Sequence, residues 1–293
     1  MRPGRIAAAL AATAAALLAA AAPEEEPPEP DRWGPLPQEL VAVLEAKSAG
    51  YRRRALKFTC IEQTRSASYR GDQAGAQDRS AVEYLLVRDD REPGGFRALR
   101  SRIGSAGRRE VEAEHGFPEP YLWTQLFDPA IRSTLRFAVG SWHTTPYKLA
   151  IPIHWRSSAP VATGRRITEW SGTAQIEYRT GNLIEITARP NLQDSRMEKE
   201  LERYLTAFRI LGFSLAAPPV GKELTVRYGY EHEGFTYPTE VELHTFRQVS
   251  RTARSTVSRK TVRYVDYRFF GTEIHDEIPP LLFDPRAEVA DGR

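Results

Sequence analysis

Hydrophobic positions along this chain first recur at the spacing of a helix and then at the spacing of strands. The first apolar stripe consists of Leu36, Leu40, Leu44 and Tyr51. Pro37 lies at its start, where a first-turn proline is favourable, and Arg52 to Arg54 lie at its end, where the helix dipole favours cations. The pattern predicts an amphipathic helix at the start of the folded region.

Short segments rich in β-branched and aromatic residues follow this helix. They cover 57–69, 80–89 and 96–103, and the turn-forming stretches Gly71-Asp72 and Pro93-Gly94-Gly95 separate them. Period-two segments between such turns are typical of strands. We therefore predict consecutive antiparallel strands.

The middle of the chain holds a dense aromatic cluster that is broken by prolines. The aromatic residues are Phe117, Tyr121, Trp123 and Phe127. Because Pro118, Pro120 and Pro129 restrict helix formation, any helix here is limited to about two turns. We predict a short helix over 121–127 inside a compact connection that acts as a lid or plug.

A period-two strand and a hairpin are predicted after this connection. Apolar residues alternate with polar ones over 148–156, and Pro152 predicts that this strand lies at an edge or a bulge because proline donates no backbone hydrogen bond. The turn Thr180-Gly181-Asn182 predicts a hairpin over 174–186. Further half-buried antiparallel strands are predicted around Val226, Val241 and Val265.

A second helix is predicted between the hairpin and these last strands. Ser195 and Glu198 have the spacing of a capping box, and Gly212 ends the helical pattern. The apolar stripe consists of Met197, Leu201, Tyr204, Leu205 and Phe208. A stripe of this kind indicates core packing.

The first twenty-two residues have the composition of an export signal. Arg2 and Arg5 precede an apolar stretch over 6–18, and the alanines of 19–22 offer cleavage sites. A retained membrane anchor is the alternative, although a spanning helix usually needs about 20 apolar residues. We predict a signal peptide over 1–22, a flexible Pro/Glu-rich tether over 23–35, a single domain over 36–283 and a disordered tail over 284–293.

The charge balance and the single cysteine narrow the classes of partner. The chain has 41 basic and 38 acidic residues, and loss of Arg2 and Arg5 would leave 39 against 38. A nearly neutral protein is not expected to bind nucleic acid. Cys60 cannot form an internal disulfide and is too far from the leader to be lipidated, so only peripheral or transient membrane contact is expected. We predict a small buried side chain rather than a reactive thiol.

Motifs for catalysis are absent from the sequence. There is no G-x-S-x-G, Ser-x-x-Lys, H-E-x-x-H or phosphate-binding glycine loop, and no cysteine pair for a metal. We therefore predict no catalytic residue, no cofactor and no metal site. The cluster His275, Asp276 and Glu277 leaves open an unrecognised extracytoplasmic hydrolase.

Basic residues are concentrated near the end of the chain, in the last predicted hairpin. Arg251, Arg254 and Arg259 are candidates for docking an envelope protein partner or anionic headgroups. The alternative is that these charges prevent edge-to-edge pairing of an exposed strand. Both interpretations stay open at this point.

The order of these elements resembles that of the outer-membrane lipoprotein carrier and sorting group. The resemblance extends from about Leu36 to Phe270 and includes the patches Gly172-Thr173-Ala174-Gln175-Ile176 and Tyr264-Val265-Asp266-Tyr267-Arg268-Phe269-Phe270. It implies an α+β fold with a strongly curved antiparallel sheet, an incomplete β-barrel, and helices packed on its concave side. The stretch 117–145 is a larger central insertion than the simple carriers have.

The resemblance also implies a function. It implies an exported, non-enzymatic protein of the periplasm that binds a lipid or a lipoprotein acyl chain in an apolar cavity. The alternating aromatic faces suggest Trp155, Tyr178, Tyr228 and Tyr230 as lining residues. The alternatives are that these side chains fill a closed core, and that the protein is an envelope interaction or assembly module.

Overall fold

A computed structural model describes residues 33–271, except for 72, 93–94, 104–116, 142, 145–148, 158–165, 192 and 212–216. The predicted leader, the tether up to residue 32 and the predicted tail therefore lie outside the described residues. The cluster His275, Asp276 and Glu277 lies outside them as well. Within the described ranges, no helix is both long enough and apolar enough to cross a membrane.

The described residues form three α-helices, two 3₁₀ helices and eleven strands. The α-helices are α1 (Gln38–Arg54), α2 (Pro129–Arg132) and α3 (Gln193–Leu211), and the 3₁₀ helices are Pro120–Gln125 and Ile167–Glu169. The strands are β1 (Phe58–Arg70), β2 (Gln73–Arg88), β3 (Phe96–Arg102), β4 (Leu135–Val139), β5 (His143–Thr144), β6 (Leu149–Ser157), β7 (Trp170–Glu177), β8 (Leu183–Pro190), β9 (Val220–His232), β10 (Phe235–Gln248) and β11 (Arg254–Phe269).

All eleven strands belong to one open antiparallel sheet, which confirms the predicted sheet. The order is β3-β2-β1-β11-β10-β9-β8-β7-β6-β4, and β5 pairs with β6. β3 and β4 are the two ends, and they do not pair with each other. The last strand, β11, returns to the centre of the sheet and lies between β1 and β10.

The main core lies between one face of the sheet and α1 with the 3₁₀ helix Pro120–Gln125. α1 buries Leu40, Leu44 and Tyr51 there. The Tyr51 ring contacts Phe235 of β10 edge-on at 4.9 Å, and its hydroxyl hydrogen-bonds to Thr236. Each large apolar side chain that is fully buried contributes about 1.5–3 kcal/mol, so these contacts fix α1 against the centre of the sheet.

α3 packs on the opposite face of the sheet. The Met197 sulfur and the Phe246 ring lie over Gly221, where an added Cβ would come within 2.6 Å of both. On β9 and β10, Gly221 pairs with Phe246, and Leu224 pairs with Leu243. Side chains of a strand alternate between its two faces, and the two pairs are three residues apart. The Gly221 pair therefore lies on the face opposite to the core residues Leu224 and Leu243. Of the two long helices that the structure describes, α1 therefore covers the aromatic core, together with the 3₁₀ helix Pro120–Gln125, and α3 lies on the other face.

α3 begins at Gln193, two residues before the predicted cap at Ser195. The Gln193 side chain donates to the Lys222 carbonyl at 2.8 Å and accepts from the Lys222 N–H at 2.7 Å. This pair of hydrogen bonds joins the start of the helix to β9. The tertiary contact, and not the local Ser-x-x-Glu spacing, therefore marks where α3 starts.

Of the two positions predicted for Pro152, an edge or a bulge, the edge is wrong. Its strand, β6, pairs with β7 on one side and with β4 and β5 on the other. The pairing along the strand of Pro152 shifts by one residue between Val139 with Ile153 and His143 with Ala150, so the predicted irregularity is found.

The Pro152 carbonyl accepts from Gly140, which lies after the end of β4 and before the start of β5. Proline has no backbone N–H, and at Pro152 this absent donor would point towards the break between β4 and β5. Its absence therefore removes no hydrogen bond from the pairing of β6 with its neighbouring strands.

Gly172 is essential where β7 approaches β8. A Cβ at this position would lie 1.9 Å from the Thr187 carbonyl oxygen, whereas a Cβ at Gly34 would meet nothing within 4 Å. We expect Gly172→Ala to lower the free energy of unfolding by about 1–3 kcal/mol or more, because the backbone at Thr187 and Ala188 would have to move. Urea unfolding measures this effect, and Gly34→Ala is the control. Equal stability of the two variants would contradict the close approach of β7 to β8.

Candidate functional site

The 3₁₀ helix Pro120–Gln125, here called the covering segment, lies between α1 and the aromatic face of the sheet. The Tyr121 hydroxyl donates to the Tyr51 carbonyl. The Tyr121 ring stacks on Tyr237 of β10 at 6.0 Å, and the Tyr228 hydroxyl of β9 donates to the Pro120 carbonyl at 3.0 Å. The short helix predicted over 121–127 is therefore present as a 3₁₀ helix that packs on β9 and β10. That it acts as a lid or plug stays a prediction.

Tryptophan side chains fill the space beneath the covering segment. The fully buried Trp123 contacts Trp155 of β6 at 5.9 Å and Trp170 of β7 at 6.0 Å, both edge-on. A second contact zone, lined by residues that include Phe58, Tyr84 and Tyr121, has no room for a water-sized sphere. The covering segment and the sheet are therefore closely packed against each other.

Several polar atoms buried in this region have no hydrogen-bond partner among the described residues. They are the indole nitrogens of Trp123 and Trp155 and both amide atoms of Gln125. A buried polar group without a partner costs about 1–3 kcal/mol. The covering segment is therefore held less tightly than its burial alone would suggest.

A buried ion cluster anchors the start of the covering segment. Arg100 of β3 lies between Glu62 of β1 and Glu119, with its Nη2 at 2.8 Å and 2.9 Å from their carboxylates. Glu119 directly precedes Pro120. Tyr264 donates to Glu62 at 3.1 Å and Tyr84 to Glu119 at 3.4 Å. Because every charged group has several partners, the cluster is a fixed anchor point.

The pKa values in this cluster reflect its burial. Burial raises the pKa of the Tyr84 and Tyr264 hydroxyls, and the neighbouring carboxylates raise them further. Burial alone would lower the pKa of the Arg100 guanidinium, but Glu119 and Glu62 raise it overall. The tyrosines therefore stay neutral hydrogen-bond donors and Arg100 stays a cation.

The residues that follow the covering segment are also anchored by an ion pair. Asp128 accepts from the Ala130 N–H at the start of α2 and lies 3.1 Å from Arg52 of α1. The Arg52 side chain is 49 % exposed, so this contact is worth less than about 1 kcal/mol. The two ends differ: the Arg100 side is buried and strong, and the Arg52 side is exposed and weak.

The ion cluster was missed by the sequence analysis, although a signal was present. Glu62 continues the alternation of Phe58 and Cys60 on the core face of β1, and Arg100 follows Phe96 and Ala98 on β3 in the same way. Opposite charges at core-facing positions of two strands predict a buried pair. The sequence could not show that these strands meet at Glu119.

The four predicted lining residues have different surroundings. Trp155 is fully buried against Trp123, and Tyr228 is buried with its hydroxyl on Pro120. Tyr178 is half-buried against the core. Tyr230 is 37 % exposed and stacks on Tyr267 at 4.8 Å. That they line a ligand site stays a prediction.

The explanation as protection of an exposed edge is wrong for Arg259, because this part of β11 pairs with both β1 and β10. Arg254 pairs with β10 only, and Arg251 precedes the strand, so for these two the alternative stays open. β11 lies between β1 and β10. Arg259 pairs with Glu242 at 2.9 Å and Arg254 with Glu223 at 3.7 Å, while Arg251 is exposed. Docking of a partner by these three arginines stays a prediction.

Carboxylates accompany the arginines across the outer face of four strands. Ion pairs join Glu185 of β8, Arg227 of β9, Glu240 of β10 and Arg263 of β11 in one row, at distances of 3.1, 2.6 and 3.0 Å. Opposite charges at neighbouring cross-strand positions stabilise a sheet. Much of the positive charge on this face is therefore balanced within the sheet.

Cys60 is buried, as predicted, and is the free cysteine of the chain. Burial raises the pKa of its thiol, and the nearby Glu62 raises it further. A thiol of this kind forms little thiolate at neutral pH. In the described part of the chain, no group of three or more His, Cys, Asp or Glu side chains is placed to hold a metal ion.

A small pocket with a volume of about 80 Å³ opens beside the covering segment. It lies where the end of α1 meets the ends of β9 and β11. Its wall is partly aromatic and partly charged, and includes Arg54, Lys57, Glu233, Tyr237, Phe269 and Phe270. Tyr237 forms both a wall of this pocket and the stacking partner of Tyr121, so the pocket adjoins the covered face of the sheet.

No family model and no curated protein matches the sequence. The fold is similar to that of a LolA superfamily protein from Nitrosomonas europaea, at 10 % identity and a TM-score of 0.37, over 79 % of this chain and 93 % of that chain. It is also similar to a putative outer membrane lipoprotein-sorting protein domain from Vibrio parahaemolyticus, at 10 % identity and 0.37, over 79 % and 95 %.

A DUF1329 family protein from Desulfovibrio piger is a further similar structure, at 9 % identity and a TM-score of 0.35, over 79 % of this chain and 93 % of that chain. The structures from Nitrosomonas and Vibrio belong to the group that the sequence resembles. At TM-scores of 0.35–0.37 this likeness carries no further argument. It assigns no ligand and no residue role.

Proposed function

We propose that this protein binds a hydrophobic chain, that of a lipid or of a lipoprotein, in the cell envelope. The chain would lie on the aromatic face of the sheet, in the place that the covering segment occupies in the ligand-free state. Binding requires no cofactor and no chemical step. At TM-scores of 0.35–0.37 the solved structures lend no support to a particular ligand, so the support must come from this chain itself.

One observation carries the proposal: next to α1, the aromatic sheet face is covered by a short 3₁₀ helix that buries unpaired polar atoms. Six residues of 3₁₀ helix have poorer hydrogen-bond geometry than an α-helix. The indole of Trp123 and the amide of Gln125 lose their water contacts on closure without gaining partners among the described residues. Displacing the segment returns these groups to water and exposes apolar surface for an acyl chain.

The packed interior determines how binding must occur. Sites for small molecules usually have volumes of about 300–1,000 Å³, whereas the pocket beside the covering segment has about 80 Å³. An acyl chain therefore cannot enter without movement of the covering segment. The apparent affinity then depends on the free-energy difference between the closed and the open state.

Gln125→Leu tests this dependence. Leucine keeps much of the side-chain volume and removes both unpaired amide atoms, so we expect the free energy of unfolding to rise by about 1–2 kcal/mol. Because the closed state is stabilised, we expect the affinity for a fluorescent fatty acid such as cis-parinaric acid to fall by roughly tenfold. Urea unfolding and fluorescence titration measure the two effects.

The control variant is Ile210→Ala on α3, whose side chain is 74 % exposed on the other side of the sheet. It should leave both quantities unchanged, and a loss of binding would indicate adsorption to the outer surface. Native mass spectrometry of protein purified from the envelope should detect bound lipid before delipidation. Absence of bound lipid, together with no titratable binding of the fatty acid, would refute the proposal.

A further inference from the structure

The pocket beside the covering segment combines positive charge with an aromatic wall. Among the described lining residues, Arg54 and Lys57 supply two cations, Glu233 supplies a carboxylate and His232 an imidazole. The Arg54 guanidinium lies over the Phe235 ring at 4.1 Å, and its Nε is 3.4 Å from Glu233. An anion that enters this pocket therefore meets two basic side chains in a partly dehydrated site, where charge interactions are stronger than in water.

Tyr237 adds a buried donor to this wall. Its side chain is fully buried, and its hydroxyl has no hydrogen-bond partner among the described residues. Arg54 and Glu233 are both close enough to influence the pKa of this hydroxyl, which burial raises above its ordinary value. Tyr237 lines the same pocket as Arg54 and Glu233, and its neutral hydroxyl is a donor from which an oxyanion could accept.

The pocket volume limits what can enter. About 80 Å³ is room for on the order of five waters, which suits a carboxylate or a phosphate group and not a whole lipid. Exposed aromatic side chains lie at this pocket: Phe270 in its lining is 50 % exposed, and Tyr230, which stacks on the lining residue Phe269, is 37 % exposed. On the inner side, Tyr237 separates the pocket from Tyr121 of the covering segment.

From these contacts we infer that the pocket holds the anionic head of an amphiphile, bound by Arg54, Lys57 and the Tyr237 hydroxyl. The hydrophobic chain of the same molecule then extends past Tyr237 beneath the covering segment. This inference rests on the proposed function and names the ligand class for it. The anion competes with Glu233 for the Arg54 guanidinium, so Glu233 opposes binding.

Three substitutions test the inference through their effect on affinity. Tyr237→Phe removes one hydroxyl and keeps the stacked ring, and we expect the affinity for palmitate or for a lysophosphatidic acid to fall roughly tenfold or more. Lys57→Met should reduce it about tenfold through the lost charge. Glu233→Gln should increase it, because the competing carboxylate is gone.

The ligand series separates the head from the chain. Palmityl alcohol has the same chain without the charge, so its affinity should be lower in the unsubstituted protein and should not respond to Lys57→Met or Glu233→Gln. Arg53→Met is the matched charge control, because Arg53 directly precedes Arg54 in the last turn of α1, is exposed and is not among the lining residues. It should change the affinity for palmitate less than Lys57→Met does.

The outcomes distinguish the two proposals. Equal binding of the alcohol and the acid, unaffected by all three substitutions, would refute the headgroup pocket and leave the proposed function standing. Binding of neither would refute the proposed function. Binding of inorganic phosphate alone, as tightly as the lysolipid and with the same response to Tyr237→Phe, would refute an amphiphile and indicate a site for a small anion.

Thermal unfolding checks that each variant folds. Tyr237→Phe should raise the Tm, because it removes an unpaired buried hydroxyl.

Discussion

Replacing Arg100 with methionine is expected to lower the free energy of unfolding by about 3–5 kcal/mol. Arg100 is 5 % exposed and lies between the carboxylates of Glu62 and Glu119. Without the guanidinium, the two carboxylates lie close together in a poorly hydrated site with no cation between them. Urea unfolding followed by circular dichroism measures the loss.

The effect of Arg100→Met should be specific to burial. Arg97 lies on the same strand, and its Nε is 3.5 Å from Asp89, but its side chain is 42 % exposed. Arg97→Met should therefore cost less than about 1 kcal/mol. A triple variant that also carries Glu62→Gln and Glu119→Gln should recover part of the lost stability, since it removes the uncompensated charges. Similar losses for Arg97→Met and Arg100→Met would contradict a buried anchor.

Strands with one buried face could be predicted from the sequence, because their apolar residues alternate with polar ones. Strand segments that are held only by hydrogen bonds to a neighbouring strand could not be predicted. The alternation of apolar residues predicted β1 and β3 within one or two residues. β2 begins at Gln73, seven residues before the predicted start, and its first nine residues are exposed. Hydrogen bonds to β1 hold this part, from the pair of Arg70 with Gln73 onwards. Such a ribbon has no hydrophobic signal to detect.

The position of β11 also depends on pairing that local patterns cannot show. Val262 and Tyr264 alternate as in any half-buried strand, but the sequence does not reveal that their neighbours are β1 and β10. This long-range placement brings Tyr264 to Glu62, which is 202 residues away in the chain. The prolines and aromatic residues did predict the covering segment. Its anchor could not be predicted, because three distant segments form it.

Trp123→Ala is expected to lower the free energy of unfolding by about 3–5 kcal/mol, because it removes the largest side chain of the covering segment from a fully buried site. The contacts with Trp155 and Trp170 are lost at the same time. Trp33→Ala is the matched control. Trp33 is only half-buried and lies under the Arg156 guanidinium at 4.3 Å, so its removal should cost about 1 kcal/mol or less.

The same substitution distinguishes a displaceable covering segment from a permanent part of the core. If the ligand takes the place of the segment, Trp123→Ala weakens the closed state, and the affinity for cis-parinaric acid should rise while the stability falls. If Trp123 instead forms part of the ligand site, affinity and stability should fall together. That result would contradict displacement of the covering segment by the ligand. Trp123→Phe should have a stability and an affinity between those of the unsubstituted protein and of Trp123→Ala, because it keeps part of the contact with Trp155 and Trp170.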